Sequence, residues 1–212
     1  MTIEAPLDRI APLAGVLFGG LTLAGDVVIG PFPDGAPPSS RLSAYYAGHA
    51  GQVALGGTLL AVAAFAFTVF AAAAWSRTRR PGVPLVVPGL VLLGAAVEAG
   101  VQFTGAETYR LLGHNATALS PAALQAWHVA GSEFFAPGGL AVFLVGIALA
   151  GIGYRAVPRW LGWTALVLAV GLFSPVGFEA SLAATIWAAV SGIALAVGPR
   201  VPVPARTPEP VV

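Results

Sequence analysis

Six long apolar segments joined by short connections constrain this chain most. A helix needs about 20 apolar residues to cross a bilayer, and each segment reaches or approaches that length. The sequence therefore predicts an all-α polytopic membrane protein, built as a bundle of six transmembrane helices. The segments are Ile10 to Gly30, Ala50 to Trp75, Val83 to Thr104, Pro121 to about Gly153, Pro158 to Phe173 and Phe178 to Val197.

The composition excludes several other classes of protein. Only 9% of the 212 residues are charged, whereas an ordinary soluble domain has about 25%. The net charge of +1 provides no basic surface for nucleic acid. The chain has no cysteine and no lysine, which excludes disulfides, thiolate-bound metals and a lysine Schiff base with a cofactor. We therefore expect no cofactor and no nucleic-acid partner; the expected partners are the lipid bilayer and a lipophilic small molecule.

The arginines predict how the chain is oriented. With six spans, eight of the ten arginines fall on one side of the membrane, and only Arg41 and Arg110 fall on the other. Because cytoplasmic loops carry the excess of basic residues, both termini are expected in the cytoplasm. The loops 31–48, 105–120 and 174–177 are then outside. Residues 1–198 form a single transmembrane domain, and residues 199–212 form a proline-rich cytoplasmic tail.

Four acidic residues lie inside the apolar segments: Asp26, Glu98, Glu133 and Glu179. An ionisable side chain within a span costs about 2.5–3.5 kcal/mol on insertion scales, so each is a candidate for function. All four lie towards the outer ends of their segments. Glu98 is the deepest, about 9 Å below the end of its segment at 1.5 Å per residue.

The sequence predicts a polar cavity open to the outside or to the outer leaflet. The fifth segment is the shortest, so its outer turn is expected to lie below the membrane surface and to leave a depression. We expect Glu98 to act as a general acid there, with Asp26 or Glu133 as the base and His128 or Gln102 as an orienting group. The expected substrate-binding residues are Gln102, Glu179, His49, Gln52, Phe103, Phe134, Phe178 and Trp127.

These residues favour a membrane-embedded enzyme that uses carboxylic acids. A carboxyl group in an apolar pocket can donate a proton near neutral pH, and aromatic faces can stabilise a cationic intermediate. That chemistry suits isomerisation, cyclisation or epoxide opening of a lipophilic, possibly isoprenoid, substrate. Three alternatives stay open: an outward-facing binder or transporter of a small molecule or cation, an accessory subunit of a membrane complex, and carboxyl groups that serve only packing. The histidines follow no metal-binding motif, so no metal site is predicted.

Three short segments carry a resemblance to known proteins. They are YYAGHAGQV from Tyr45 to Val53, PRWLGW from Pro158 to Trp163, and FSPVGF from Phe173 to Phe178. With them, most of the chain resembles a broad group of small multi-pass membrane proteins common in high-GC bacteria. The group has no established activity. The resemblance implies six spans and a location in the bacterial plasma membrane.

Overall fold

The fold is entirely helical in the residues that a computed structural model of the protein describes, namely 7, 9–31, 33, 37–133 and 138–198. No strand is present in these ranges, so the prediction of an all-α protein is confirmed. Four helical segments are long and apolar enough to cross a membrane, which indicates a multi-pass membrane protein. They are Ala11–Ile29, Ser39–Thr78, Val86–Ala118 and Gly177–Val197.

Seven α-helices follow one another in the described ranges. They are α1 (Ala14–Ile29), α2 (Ser39–Thr78), α3 (Val86–Asn115), α4 (Pro121–Glu133), α5 (Gly138–Ile152), α6 (Arg159–Gly171) and α7 (Gly177–Val197). Short 3-10 turns precede α1 and follow α3. With 15 and 13 residues, α5 and α6 are about 20–22 Å long, which is less than the ~30 Å of hydrocarbon.

Two helices extend well beyond the predicted spans. α2 begins at Ser39, inside the predicted 31–48 loop, and α3 continues to Asn115 through most of the predicted 105–120 loop. At about 60 and 45 Å, both helices are longer than the membrane is thick. The loop prediction was wrong over these turns because hydropathy marks only the part of a helix that lies in lipid. A helix that continues into water carries polar residues that look like a loop.

The predicted fourth helix is two helices. α4 packs on α2 and α3, whereas α5 packs on α3 and α6. The segment that joins them, 134–137, lies outside the described residues. Its last residue is a proline, which has no N–H and disfavours helix in the residue before it. In the described residues, the predicted fourth helix thus comprises two helices that pack on different neighbours.

Six of the helices form a ring around an aromatic core. α1 packs on α2, α2 on α3, α3 on α5, α5 on α6, and α7 on both α6 and α1. In the centre, the rings of Phe18 and Phe67 lie 5.1 Å apart, and those of Phe67 and Phe143 lie 5.5 Å apart. These contacts join α1, α2 and α5 in one core.

A second, smaller core covers one end of the ring; we call it the cap. It is formed by α4 and the adjoining turns of α2 and α3, and its buried side chains are Leu42, Tyr46, Val53, Leu112, Ala116 and Leu124. We call the opposite end the arginine end. It carries Arg77 in the last turn of α2, Arg79 and Arg80 just after α2, Arg155 between α5 and α6, and Arg159 at the start of α6. There the guanidinium of Arg79 lies 4.8 Å from the ring centre of Trp75.

Side chains of the cap hold the connection between α1 and α2. The Tyr45 hydroxyl donates to the carbonyl of Ile29 over 3.2 Å, and His128 Nε2 donates to the carbonyl of Pro33 over 2.9 Å. Gln125 Nε2 reaches the carbonyl of Pro37 at 3.5 Å. The four prolines of this connection have no N–H with which to form backbone hydrogen bonds. Side-chain donors from the cap take their place.

Candidate functional site

A cavity of about 360 Å³ lies inside the ring, between the aromatic core and the cap. This volume falls within the range of small-molecule sites. Its walls come from α1, α2, α3, α5 and α7, together with Leu172 just after α6. The walls are mainly apolar, and the polar side chains among them are Thr22, Asp26, Glu98, Gln102, Tyr109, Ser181 and Thr185. The structure thus brings the predicted residues Asp26, Glu98, Gln102 and Phe178 to one site.

Asp26 enters this cavity from the last turn of α1. Phe18, Thr22 and Asp26 follow one another at intervals of four residues and all line the cavity, because residues four apart share one face of a helix. Asp26 has neither a hydrogen bond nor an ion pair with any residue that the structure describes. Both of its carboxyl oxygens are therefore available to a ligand.

Glu98 is held differently, because both of its oxygens accept hydrogen bonds. Gln102 Nε2 donates to Oε1 over 2.8 Å, and the backbone N–H of Leu140 donates to Oε2 over 2.9 Å. Leu140 is the third residue of α5, and the first N–H groups of a helix have no partner within it. Glu98 therefore caps the start of α5 from the neighbouring helix.

A close approach of two backbones makes the hydrogen bond from Leu140 to Glu98 possible. A Cβ atom on Gly139 would lie 2.5 Å from the backbone nitrogen of Glu98 and 2.9 Å from its Cα. Only glycine fits there. The start of α5 therefore sits directly against α3, within reach of the Glu98 side chain.

The two carboxyl groups lie at different heights in the cavity. Asp26 is eight residues beyond Phe18 on α1, a rise of about 12 Å from the aromatic floor. The partner of Glu98, Leu140, is only three residues from Phe143 of that floor, a rise of about 4.5 Å. Asp26 has no hydrogen bond with any described residue, so it does not share a proton with Glu98. The two carboxyl groups thus form two separate polar sites along one cavity.

His128, which was expected to orient a substrate, is instead a structural residue of the cap. It is 0% exposed and does not line the cavity. Its Nε2 donates to the Pro33 carbonyl, while Nδ1 accepts from the Tyr46 hydroxyl over 3.2 Å. A carbonyl only accepts, so the proton is on Nε2 and the ring is neutral. Burial lowers the pKa of His128, and the hydrogen bond to Pro33 opposes that shift.

Several other predicted site residues lie outside the cavity. His49 is exposed, donates from Nδ1 to the Tyr45 carbonyl over 2.9 Å and stacks on the Tyr45 ring. The prediction that these residues line the cavity was wrong because sequence places a residue at a depth but not on a face of the bundle. The remaining exposed residues that do not line it are Gln52, Phe103, Trp127 and Glu179.

Two predicted residues cannot be placed. Glu133 ends α4, but its side chain lies outside the described residues, as does the whole of Phe134. Within the described part of the chain, no three histidine, aspartate or glutamate side chains lie close enough together to hold a metal ion.

The sequence reasoning missed the wall contributed by α7. Ser181, Thr185 and Trp187 line the cavity from this helix, and Trp187 Nε1 is fixed by a 2.9 Å hydrogen bond to Thr164 Oγ1 of α6. The sequence pattern that indicates this wall is a run of small residues at intervals of four, three and four from Gly177. Such spacing is typical of one helix face. Phe18, four residues before Thr22, was likewise available from spacing alone.

Comparisons with protein-family models, with curated proteins and with solved structures found no match.

Proposed function

We propose that this protein is a six-span protein of the bacterial plasma membrane that binds a lipophilic small molecule with a positively charged or protonatable group. The short apolar helices α5 and α6 complete six spans with the four long ones. The arginine end is proposed to face the cytoplasm, because basic residues concentrate there. Both termini and the 199–212 tail are then cytoplasmic, and the cap is outside.

The observation that carries this proposal is Asp26 in the wall of the cavity. It faces a mainly apolar space and has no hydrogen-bonding or ionic partner among the described residues. An ionised carboxylate is costly at membrane depth unless a counter-charge accompanies it. A cationic or protonatable head group on the ligand supplies that counter-charge.

The other walls suit such a ligand. Aromatic faces attract cations, with a stabilisation of about 0.5–2 kcal/mol each, and apolar walls accommodate a hydrocarbon chain. The floor is aromatic and the end nearer the cap is polar, so we propose that the hydrocarbon points towards the floor and the head group lies at Asp26. The aromatic residues that line the cavity are Phe18, Phe67, Tyr109, Phe143, Phe178 and Trp187.

Binding of dodecylamine to the purified protein tests this proposal. Replacing Asp26→Asn removes the counter-charge but keeps the size of the side chain. We expect at least about tenfold weaker binding, because a hydrogen bond to a charged group contributes about 1.5–3 kcal/mol. Glu107→Gln is the matched control, since Glu107 is exposed, pairs with Arg110 and lies outside the cavity. Equal affinities in both variants would refute the role of Asp26.

A second candidate is acid–base catalysis on the bound molecule, which the presence of Glu98 and Gln102 in the same cavity favours. Because Glu98 already accepts two hydrogen bonds, we propose Asp26 rather than Glu98 as the group that transfers a proton. The reaction would be an isomerisation, cyclisation or epoxide opening of a lipophilic substrate. Incubation with isoprenoid epoxides or alcohols separates the two functions, because an enzyme converts its ligand and a binder returns it unchanged.

A further inference from the structure

Packed side chains of the cap lie at one end of the cavity. Tyr109 lines the cavity and also packs against the core of the cap. Beyond it, Leu42, Tyr46 and Leu112 are each 0% exposed. A solute from the water on that side would have to pass through a packed core, where gaps larger than a water molecule are few.

Packed side chains also lie towards the arginine end. Phe67, Phe70 and Phe143 are each 1% exposed and pack on one another across the ring. This aromatic layer separates the cavity from the cytoplasmic ends of the helices. Packed side chains of the described residues therefore lie at both ends of the ring.

The side of the ring is different, because there an apolar residue belongs to both the cavity and the outer surface. Phe178, in the first turn of α7, lines the cavity and is 62% exposed. On the other side of the cavity, Val101 and Gln102 of α3 line it and are only partly buried. α7 packs on α1 and α6, while α3 packs on α2 and α5. Phe178 thus lies at the boundary, in the cavity wall, between α7 with its neighbours α1 and α6 and α3 with its neighbours α2 and α5.

The surface around this point is mainly apolar, with the exposed Glu179 beside Phe178 as the exception. Phe173 and Val176, in the turn before α7, are 72% and 55% exposed, and Val97 of α3 is 48% exposed. Within a membrane such side chains contact lipid chains rather than water. The side of the cavity therefore faces the hydrocarbon of the bilayer.

We propose that the ligand reaches the cavity sideways from the bilayer, through an opening between α3 and α7 at Phe178. This inference rests on the proposed binding function and names the ligand class: a single-chain amphiphile dissolved in the membrane. Its hydrocarbon passes Phe178 at the level of the lipid chains, and its head group moves to Asp26. Small water-soluble amines, which do not partition into lipid, are excluded.

The test uses the natural absence of cysteine, which lets a single introduced thiol be labelled with a bulky maleimide. The protein is reconstituted in phosphatidylcholine vesicles as Phe178→Cys and, as the matched control, Phe173→Cys. Phe173 is exposed in the turn before α7 but does not line the cavity.

The probe is dodecylamine brominated on its chain, and the readout is quenching of the fluorescence of Trp187, the tryptophan in the cavity wall. The other four tryptophans are replaced by phenylalanine. If the protein with these four replacements fails to fold, the same readout is the difference in fluorescence quenching between the otherwise native chain and its Trp187→Phe variant.

We expect the label at position 178 to slow quenching of Trp187 by at least about tenfold, and the label at position 173 to leave the rate within about twofold. Tetramethylammonium should not compete. Equal rates with both labels, while quenching still depends on Asp26, would overturn the side opening and leave the binding function intact. Absence of quenching in the unlabelled protein would overturn both proposals.

Discussion

The Glu98 side chain of α3 accepts a 2.9 Å hydrogen bond from the backbone N–H of Leu140 at the start of α5. This bond explains why an acidic residue lies in the middle of an apolar helix. Lipid offers no partner for the free N–H groups at the start of a helix, so a helix that begins within the membrane needs one from the protein. Glu98 provides it, and in our proposal the ligand binds at Asp26.

The capping role of Glu98 predicts a difference between two substitutions. Glu98→Ala leaves the N–H of Leu140 without its partner and should lower the free energy of unfolding by about 1–3 kcal/mol. Glu98→Gln keeps an oxygen that accepts the bond and should lose less. Thermal unfolding in detergent measures both. If the alanine variant proves as stable as the glutamine variant, Glu98 does not cap α5.

The contact between α3 and α5 predicts a second difference, between two glycines. A Cβ on Gly139 would meet the backbone of Glu98 at 2.5 Å, whereas a Cβ on Gly100 of α3 would meet nothing within 4 Å. Gly139→Ala should therefore destabilise the protein by about 1–3 kcal/mol. Gly100→Ala should be neutral, or stabilising by up to about 1 kcal/mol. Unfolding in detergent checks the pair, and similar losses in both variants would argue against the close approach.

Hydropathy predicted the class of the fold well, because lipid requires helices whose backbone groups are internally satisfied. The position of Asp26, Glu98 and Gln102 towards the outer ends of their segments also predicted a shared cavity, and the structure brings all three to one site. The same reasoning failed for the ends of α2 and α3, where the helix continues outside the membrane. There, polar and apolar residues mix as they do in a loop.

The packing of the cap could not be predicted from the sequence. The contact of His128 with Tyr46 joins residues 82 positions apart, and its contact with Pro33 joins residues 95 apart. Periodicity within one helix carries no information on which neighbour a side chain meets. A buried, satisfied histidine and a catalytic one therefore look alike until the helices are packed.

The neutral His128 predicts a dependence of stability on pH. Because the pKa of His128 is lowered below its usual 6.5 in the folded protein, the unfolded chain binds a proton first as the pH falls. The stabilisation is therefore complete above about pH 6.5 and declines below it. Melting temperatures from pH 8 to pH 5 should show this decline. It should be smaller in His128→Gln but persist in His114→Gln, which replaces an exposed histidine; an identical decline in both variants would exclude His128 as its source.

The proposed orientation predicts which thiols are reachable from outside the cell. Ser120, before α4, and Ser76, near the end of α2, are both exposed. In a chain without native cysteine, a membrane-impermeant maleimide should label Ser120→Cys on intact cells. It should label Ser76→Cys only after the cells are opened. The reverse pattern would invert the orientation of the protein.

A density map of the protein purified from its own membrane, at a resolution that shows side chains, tests the central claim most directly. We expect an elongated molecule in the cavity, with its polar end within hydrogen-bonding distance of the Asp26 carboxylate and its chain directed towards Phe67 and Phe143. A cavity that contains only ordered water, or a bound molecule whose polar end lies away from Asp26, would contradict this claim.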